Sequence, residues 1–260
     1  MISRFAGRTA RFRSAVHTLG ARLSDVILPR LCAACDDVIG HEGDQLCAQC
    51  WSNLASNVAV VACSKCGQES GPHLLVDGIC RDCREPRSRR VRVAGFIRVG
   101  RYEGVLRELI LRFKTRFTLD HLLGRLLAES IRASDIATSV DFWTPIPSHW
   151  RRRLSRGFHP VGLLASHALR QIGMRPKRVL RAVRHVAEFH SQPMVSYAGR
   201  AELIRGAFDV VDPASIKGRT VGVIDDVYTT GATVDEAVRA LRRAEAEKIV
   251  VAVLARAGRA

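Results

Sequence analysis

Residues Val221–Thr233, reading Val-Gly-Val-Ile-Asp-Asp-Val-Tyr-Thr-Thr-Gly-Ala-Thr, have the side chains needed to hold a sugar phosphate. The apolar run Thr220–Ile224 suits a buried parallel strand and ends in two adjacent carboxylates, Asp225 and Asp226. A short turn through Thr229, Thr230 and Gly231 follows, and from Ala232 to Ala246 apolar residues recur at helical spacing. A strand–turn–helix of this kind gathers free backbone amides and the hydroxyls of Thr229, Thr230 and Thr233 at a helix N-terminus. There the unpaired N–H groups and the helix dipole favour a phosphate. The carboxylates fall at the carboxyl end of the strand, where open α/β sheets take ligands, and suit two neighbouring ribose hydroxyls. A phosphate held beside a diol describes a 5-phosphoribosyl group. Helix capping accounts for these residues singly but not for the run as a whole. No Gly-Lys-Ser/Thr follows, which excludes a Walker A loop.

A second segment complements the first. Pro145-Ile-Pro-Ser-His-Trp-Arg-Arg-Arg-Leu-Ser-Arg-Gly-Phe158 leaves the end of another expected strand, Val140–Ile146. His149, Arg151, Arg152, Arg153 and Arg156 offer charge-assisted donors, and Gly157 allows close backbone approach, as a pyrophosphate requires. Arginine clusters more often mark a solvated face, so the segment gains meaning from its pairing with the Asp-Asp loop. A phosphoribosyl donor needs one site for each end.

The eight cysteines form four Cys-x-x-Cys pairs: Cys32/Cys35, Cys47/Cys50, Cys63/Cys66 and Cys80/Cys83. Two such knuckles complete one tetrahedral Cys₄ site, and sequential pairing gives two tandem zinc ribbons. Few large apolar residues lie between residues 29 and 86, so metal must supply much of the stability; structural zinc contributes roughly 10–16 kcal/mol in finger peptides. A disulfide framework needs an oxidising compartment, and no secretory signal with a long apolar segment is seen. Redox chemistry needs one such pair beside a βαβ unit, and iron–sulfur clusters have less regular spacing. Four thiolates per ion leave no open position, so both Zn²⁺ sites are expected to be structural.

The elements that must position these groups follow from pattern. Residues 1–27 read as a basic N-terminal segment with the apolar spacing of a helix, 28–86 as the double ribbon and 87–260 as the α/β domain. In the last, Gly95–Tyr102, Thr220–Ile224 and Ile249–Leu254 read as strands, while Val105–Phe113, Leu119–Ile131, Phe158–Ile172 and Tyr197–Ile204 have helical periodicity. Alternating strands and helices imply a parallel sheet flanked by helices. Forty-one Lys+Arg against twenty-five Asp+Glu leave a formal charge of +16, which implies polyanionic partners. The Arg-rich first segment meets an anionic surface or packs on its own protein. The arginines of Arg84–Arg92 mark an exposed linker or a polyanion contact; with no aromatic residue among them, they support only salt-sensitive attraction. No apolar run approaches the ~18 residues of a spanning helix, so no transmembrane segment and a cytoplasmic protein are expected.

The Asp-Asp/Thr-Gly run looks like the signature of type I phosphoribosyltransferases. The order of motifs resembles the ComF family of competence-associated proteins. The resemblance rests on Leu28-Pro-Arg-Leu-Cys-Ala-Ala-Cys35, the paired ribbons, Leu109-Ile-Leu-Arg-Phe-Lys-Thr-Arg116 and Pro-Ile-Pro-Ser-His with Arg-Gly-Phe158. It continues through Ser191-Gln192, Arg205-Gly-Ala-Phe208 and the Asp-Asp loop. It implies a type I phosphoribosyltransferase-like fold. Asp225 and Asp226 would bind ribose, and Thr229, Thr230, Gly231, Ala232 and Thr233 the 5-phosphate. Residues 147–157 would form the pyrophosphate loop, and 190–204 a loop that closes over substrate. It further implies phosphoribosyl pyrophosphate with Mg²⁺, or a nucleotide-like ligand, and a role in handling incoming DNA. Three functions are open: a phosphoribosyltransferase (a glycosyltransferase) with an undetermined acceptor; a single-stranded DNA-binding accessory; and an adaptor docking a helicase-like competence partner through its ribbons. Three positions depart from the family pattern: His159-Pro160 where Asn-Gln is usual, Ile204 where Asn is frequent, and Tyr228 where Leu is frequent. No cysteine is left for a glutaminase nucleophile.

Overall fold

A computed structural model describes residues 29–39, 45–58, 60–85, 93–115, 119–148, 157–183 and 202–258. The chain divides into two compact units, Met1–Ser52 and Asn53–Ala260, so the division falls between the two cysteine tetrads. In the first unit the Cys32 amide donates to the Asp37 carbonyl at 2.7 Å within its knuckle, the Ala33 amide donates to the Gln45 carbonyl at 2.8 Å beside the next one, and helix α1 (Ala48–Val58) begins directly after Cys47.

The second unit opens with the other ribbon, a hairpin of β1 (Leu75–Val76) and β2 (Ile79–Cys80) leading into α2 (Arg81–Arg84). Then come β3 (Gly95–Arg101), α3 (Gly104–Phe113), α4 (Asp120–Arg132), β4 (Phe142–Pro145) and α5 (Pro160–Gln171). The chain continues with β5 (Leu180–Ala182), β6 (Phe208–Val210), β7 (Thr220–Tyr228), α6 (Ala232–Arg243) and β8 (Lys248–Arg256). Strands β3-β8-β7-β4 form one parallel sheet, and β5 pairs with β6 antiparallel apart from it. The parallel α/β architecture expected from the sequence is thus the observed one.

The two central strands are apolar on both faces because helices cover both. Val221, Val223, Ile249, Val251 and Val253 join Val234, Val238 and Leu241 of α6 and Phe208 of β6 in one core. Alternate residues of the same strands, Ile224, Val250, Ala252 and Leu254, are buried toward the layer of α4 and α5. The β7 strand is longer than its apolar run predicts. Its ladder with β8 continues through Asp225↔Val253, Val227↔Ala255 and Tyr228↔Arg256, so both carboxylates lie within the strand and not after it. Helix α6 stops at Arg243, short of the expected Ala246. The short β5–β6 pair and α1 have no counterpart in the sequence reading. The segment 1–27, the linker residues 86–92 and most of the expected helix Tyr197–Ile204 lie outside the described residues.

Gly222 fixes the packing at the middle of β7. It is the register partner of Trp143 on β4, and a Cβ there would lie 2.2 Å from the Trp143 ring. Trp143 is fully buried and has nowhere to swing. Gly222→Ala is therefore expected to lose about 1–3 kcal/mol to overpacking in urea unfolding. Gly258→Ala, which meets nothing within 4 Å, is expected to stay within about 0.5 kcal/mol of the parent.

Candidate functional site

The end of β7 carries a carboxylate pair whose members differ. The Asp225 Oδ1 accepts from the Asp226 amide at 2.9 Å, and the Asp226 Oδ1 from the Val227 amide at 2.7 Å. Asp225 is buried, and burial first, then the adjacent Asp226 charge, pushes its pKa up to about 8. Asp226 is half-buried, and its Oδ2 lies 3.0 Å from the Lys114 Nζ. Burial alone would lower the Lys114 ammonium. The charge and hydrogen bond of Asp226, aided by Tyr102 and Asp225, outweigh it and hold it above the usual lysine value. Lys114 stands at the C-terminal end of α3, whose Val105, Leu106, Leu109, Ile110 and Phe113 are buried. The family resemblance includes this segment but assigns Lys114 no role. A lysine at the end of an apolar helix stripe, rarely buried unless paired, is the signal that points to one.

The turn beyond Tyr228 delivers the amides expected of it. Gly231 caps α6 in the left-handed region, φ 86°, which favours glycine, and the helix begins at Ala232. The Ala232 amide donates to the Thr230 hydroxyl at 3.5 Å, and the Asp235 amide to the Gly231 carbonyl at 2.8 Å. The structure therefore brings Asp225, Asp226, Thr229, Thr230, Gly231, Ala232 and Thr233 together at one strand end.

Tyr228 links this loop to the second ribbon. A Cβ on Gly231 would lie 2.1 Å from the Tyr228 hydroxyl oxygen, so the ring packs directly on the turn. The opposite side of Tyr228 meets Phe96 edge-on, 5.1 Å between centroids at 87°, and the Arg256 guanidinium lies 5.0 Å over its ring. Phe96 in turn lies under Gly67 of the Cys63/Cys66 knuckle and donates its amide to the Ser64 carbonyl at 2.7 Å. Arg256 donates to the Gln68 side chain at 3.0 Å. The frequent family leucine would not span this gap.

The zinc assignment passes a test of fit. Each tetrad, Cys32/Cys35/Cys47/Cys50 and Cys63/Cys66/Cys80/Cys83, has its sulfurs within 4.8 Å of one another, and all eight cysteines are free thiols. The Cys35–Cys47 and Cys66–Cys80 sulfurs are 3.7 and 3.8 Å apart; tetrahedral bonds of about 2.3 Å require about 3.8 Å. Amides of Cys47 and Cys80 donate to the Cys32 and Cys63 sulfurs, each at 3.3 Å. In Cys32 burial is outweighed by the amides of Ala34, Cys35 and Cys47, which bring the thiol down to about 6. Cys63 is held down to about 4, first by its hydrogen bond with Cys66, whose own pKa is driven up by that bond and by burial. Four thiolates so close ionise together only around a cation.

Of the pyrophosphate candidates, Gly157 is described, at φ 74°; His149, Arg151, Arg152, Arg153 and Arg156 lie outside the described residues. The segment's two ends are joined by His159, whose Nε2 lies 3.3 Å from the Ser148 amide and 3.2 Å from the Ile146 carbonyl. Pro160 opens α5, where a missing N–H costs nothing. The Arg205-Gly-Ala-Phe208 element has a structural explanation. Gly206, at φ 69°, donates its amide at 3.0 Å to Glu236, a fully buried carboxylate on α6 that also takes Arg239 at 3.1 Å. That bond ties the strand pair β5–β6 to the helix that follows the Gly231 turn.

Residues 23–84 match the double zinc ribbon domain, and residues 156–260 the phosphoribosyl transferase domain. The chain is 28% identical over 233 residues to Competence protein F of Haemophilus influenzae, covering 87% of this chain and 96% of that one. It is 29% identical over 236 residues to DNA utilization protein YhgH of Escherichia coli K12, covering 88% and 98%. Competence protein ComFC of Bacillus subtilis is 29% identical over 203 residues, covering 76% and 78%.

The carboxylate pair has a consequence for stability. An ordinary aspartate ionises near pH 4, whereas folded Asp225 keeps its proton up to about pH 8. Between those values the folded chain holds the extra proton, so this residue's contribution to stability falls as pH rises. Asp225→Asn is expected to gain stability relative to the parent on going from pH 5 to pH 8, read by urea unfolding at saturating zinc. A difference that stays constant or shrinks would contradict the assigned burial.

Proposed function

Since the chain belongs to the ComF family, joining a double zinc ribbon domain to a phosphoribosyl transferase domain, we propose that it binds phosphoribosyl pyrophosphate, or a closely related ribose phosphate, in the service of DNA uptake or processing. The observation that carries the reading is the pairing of Asp226 with Lys114 beside the Gly231 turn. One strand end there carries two carboxylates, which would suit a diol, a cation paired with one of them, and a helix N-terminus that would suit a phosphate. The amides of residues 229–233 hold the 5-phosphate at the α6 N-terminus. Asp226 and Asp225 accept from the ribose hydroxyls, and Lys114 offsets the charge they would otherwise turn on an anionic ligand. In this reading the arginines of residues 151–156 would supply charge-assisted donors to the pyrophosphate.

Mg²⁺, a hard cation suited to carboxylate and phosphate oxygens, would travel with the pyrophosphate and neutralise part of its charge. In turnover an acceptor nucleophile would bond to C1 and lose its proton as the C1–O bond breaks and pyrophosphate leaves with the electron pair. Positive charge builds on the ribose on the way, and the fixed donors would stabilise the departing pyrophosphate. The formal charge of +16 supports single-stranded DNA as a partner. The ribbons supply a surface for a helicase-like partner, and the site works in the cytoplasm. The relatives named for competence and DNA utilization support the same setting. No helix among the described residues is long and apolar enough to cross a membrane.

Titration calorimetry of the zinc-loaded protein with phosphoribosyl pyrophosphate and Mg²⁺ tests this. Saturable binding is expected, weakened at least thirtyfold (about 2 kcal/mol) by Asp226→Ala, the scale of a lost charged hydrogen-bond partner. Lys114→Ala is expected to weaken it about tenfold. No heat from the folded parent protein would remove the ligand reading.

A further inference from the structure

Away from the β7 loop, three metal-ligating side chains meet where α4 crosses α5. Asp120 is the first residue of α4, His121 follows it, and His167 comes from α5. The Asp120 Oδ2 lies 3.0 Å from the His167 Nε2, and the two imidazole rings meet edge-on, 4.1 Å between centroids at 64°. One ligand atom from each residue lies within 4.8 Å of the other two.

The surroundings fix this arrangement. The Asp120 Oδ1 accepts from the His121 amide at 2.9 Å, which orients the carboxylate and leaves Oδ2 turned to His167. One turn further along α4, a Cβ on Gly124 would lie 2.7 Å from the His167 Cβ and 3.2 Å from the Ala168 amide nitrogen. The helices therefore touch closely there, and His167 stands over a glycine on a rigid element. Asp120 is buried, His167 half-buried and His121 exposed, so the group has a sheltered floor and one side open to solvent. A hydrogen-bonded Asp–His contact accounts for Asp120 and His167. It leaves unexplained why the exposed His121 ring lies against His167.

We propose that Asp120, His121 and His167 form a third metal site, built of two imidazoles and one carboxylate, for a divalent transition ion of the Zn²⁺ class. Imidazole nitrogens select such ions over Mg²⁺ and Ca²⁺, and two imidazoles with one carboxylate is a donor set used by Zn²⁺ and by Fe²⁺. Three protein ligands leave a coordination position for water or an anionic oxygen, unlike the closed thiolate tetrads. Because the ligands come from both helices, the ion clamps α4, which follows Lys114 in the chain, to α5, which follows the arginine segment.

The full-length chain, equilibrated with micromolar zinc and desalted, is expected to hold three zinc ions, two in the tetrads. His121→Ala and His167→Ala are each expected to hold two, with all eight thiols still protected from a thiol reagent. His121 is exposed, so its variant separates ligand loss from misfolding. As a second readout, Co²⁺ added to the parent carrying only two equivalents of zinc, which fill the tetrads, should give weak visible bands without thiolate charge transfer, and these should vanish in His121→Ala. Two zinc ions in the parent, or a third retained in either variant, would overturn the proposal.

Discussion

Two consecutive carboxylates at the end of a strand buried between two helical layers set the terms for the rest of this fold. Neither side chain reaches full hydration, and ionising both in so little water is costly. The molecule meets the cost in two ways. Asp225 keeps its proton well into the neutral range, and Asp226 takes the ammonium of Lys114. The β7–β8 ladder carries the strand on through both aspartates. The pair is thereby fixed in direction before any ligand arrives, with one carboxylate neutral, one negative and a positive charge at hand.

The loop beyond the pair is rigid for reasons that lie elsewhere in the unit. Tyr228 fills the space under Gly231 and is wedged by Phe96 and Arg256, which the second ribbon covers through Gly67, Ser64 and Gln68. On the other side, the buried Glu236 of α6 receives the Gly206 amide and so anchors the β5–β6 pair to the same helix. A ribbon with a closed thiolate tetrad thus acts as a buttress to the loop between β7 and α6. The second tetrad belongs to the same compact unit as the sheet, while the first lies in the other.

Much of this was legible in the residues. The apolar run before Asp225, the four Cys-x-x-Cys pairs and the helical spacing after Gly231 are local signals, and local signals survive folding. The extent of β7 was not legible, because ladder hydrogen bonds are indifferent to side chains and carry the strand through two aspartates. Strands as short as Leu180–Ala182 and Phe208–Val210 hold too few residues for a period of two to register. Lys114, Glu236 and the His121–His167 contact depend on which distant helices the sheet brings side by side. Tyr228 drew notice as a departure from the family pattern, and only the packed structure gives it a task.

The most direct measurement of the central claim is a crystal structure of the zinc-loaded protein with ribose 5-phosphate. The account places the phosphate on the amides of residues 229–233 and the ring hydroxyls against Asp226 and Asp225, with Lys114 still beside the carboxylates. A phosphate bound elsewhere, or a β7 loop empty at millimolar ligand, would contradict it.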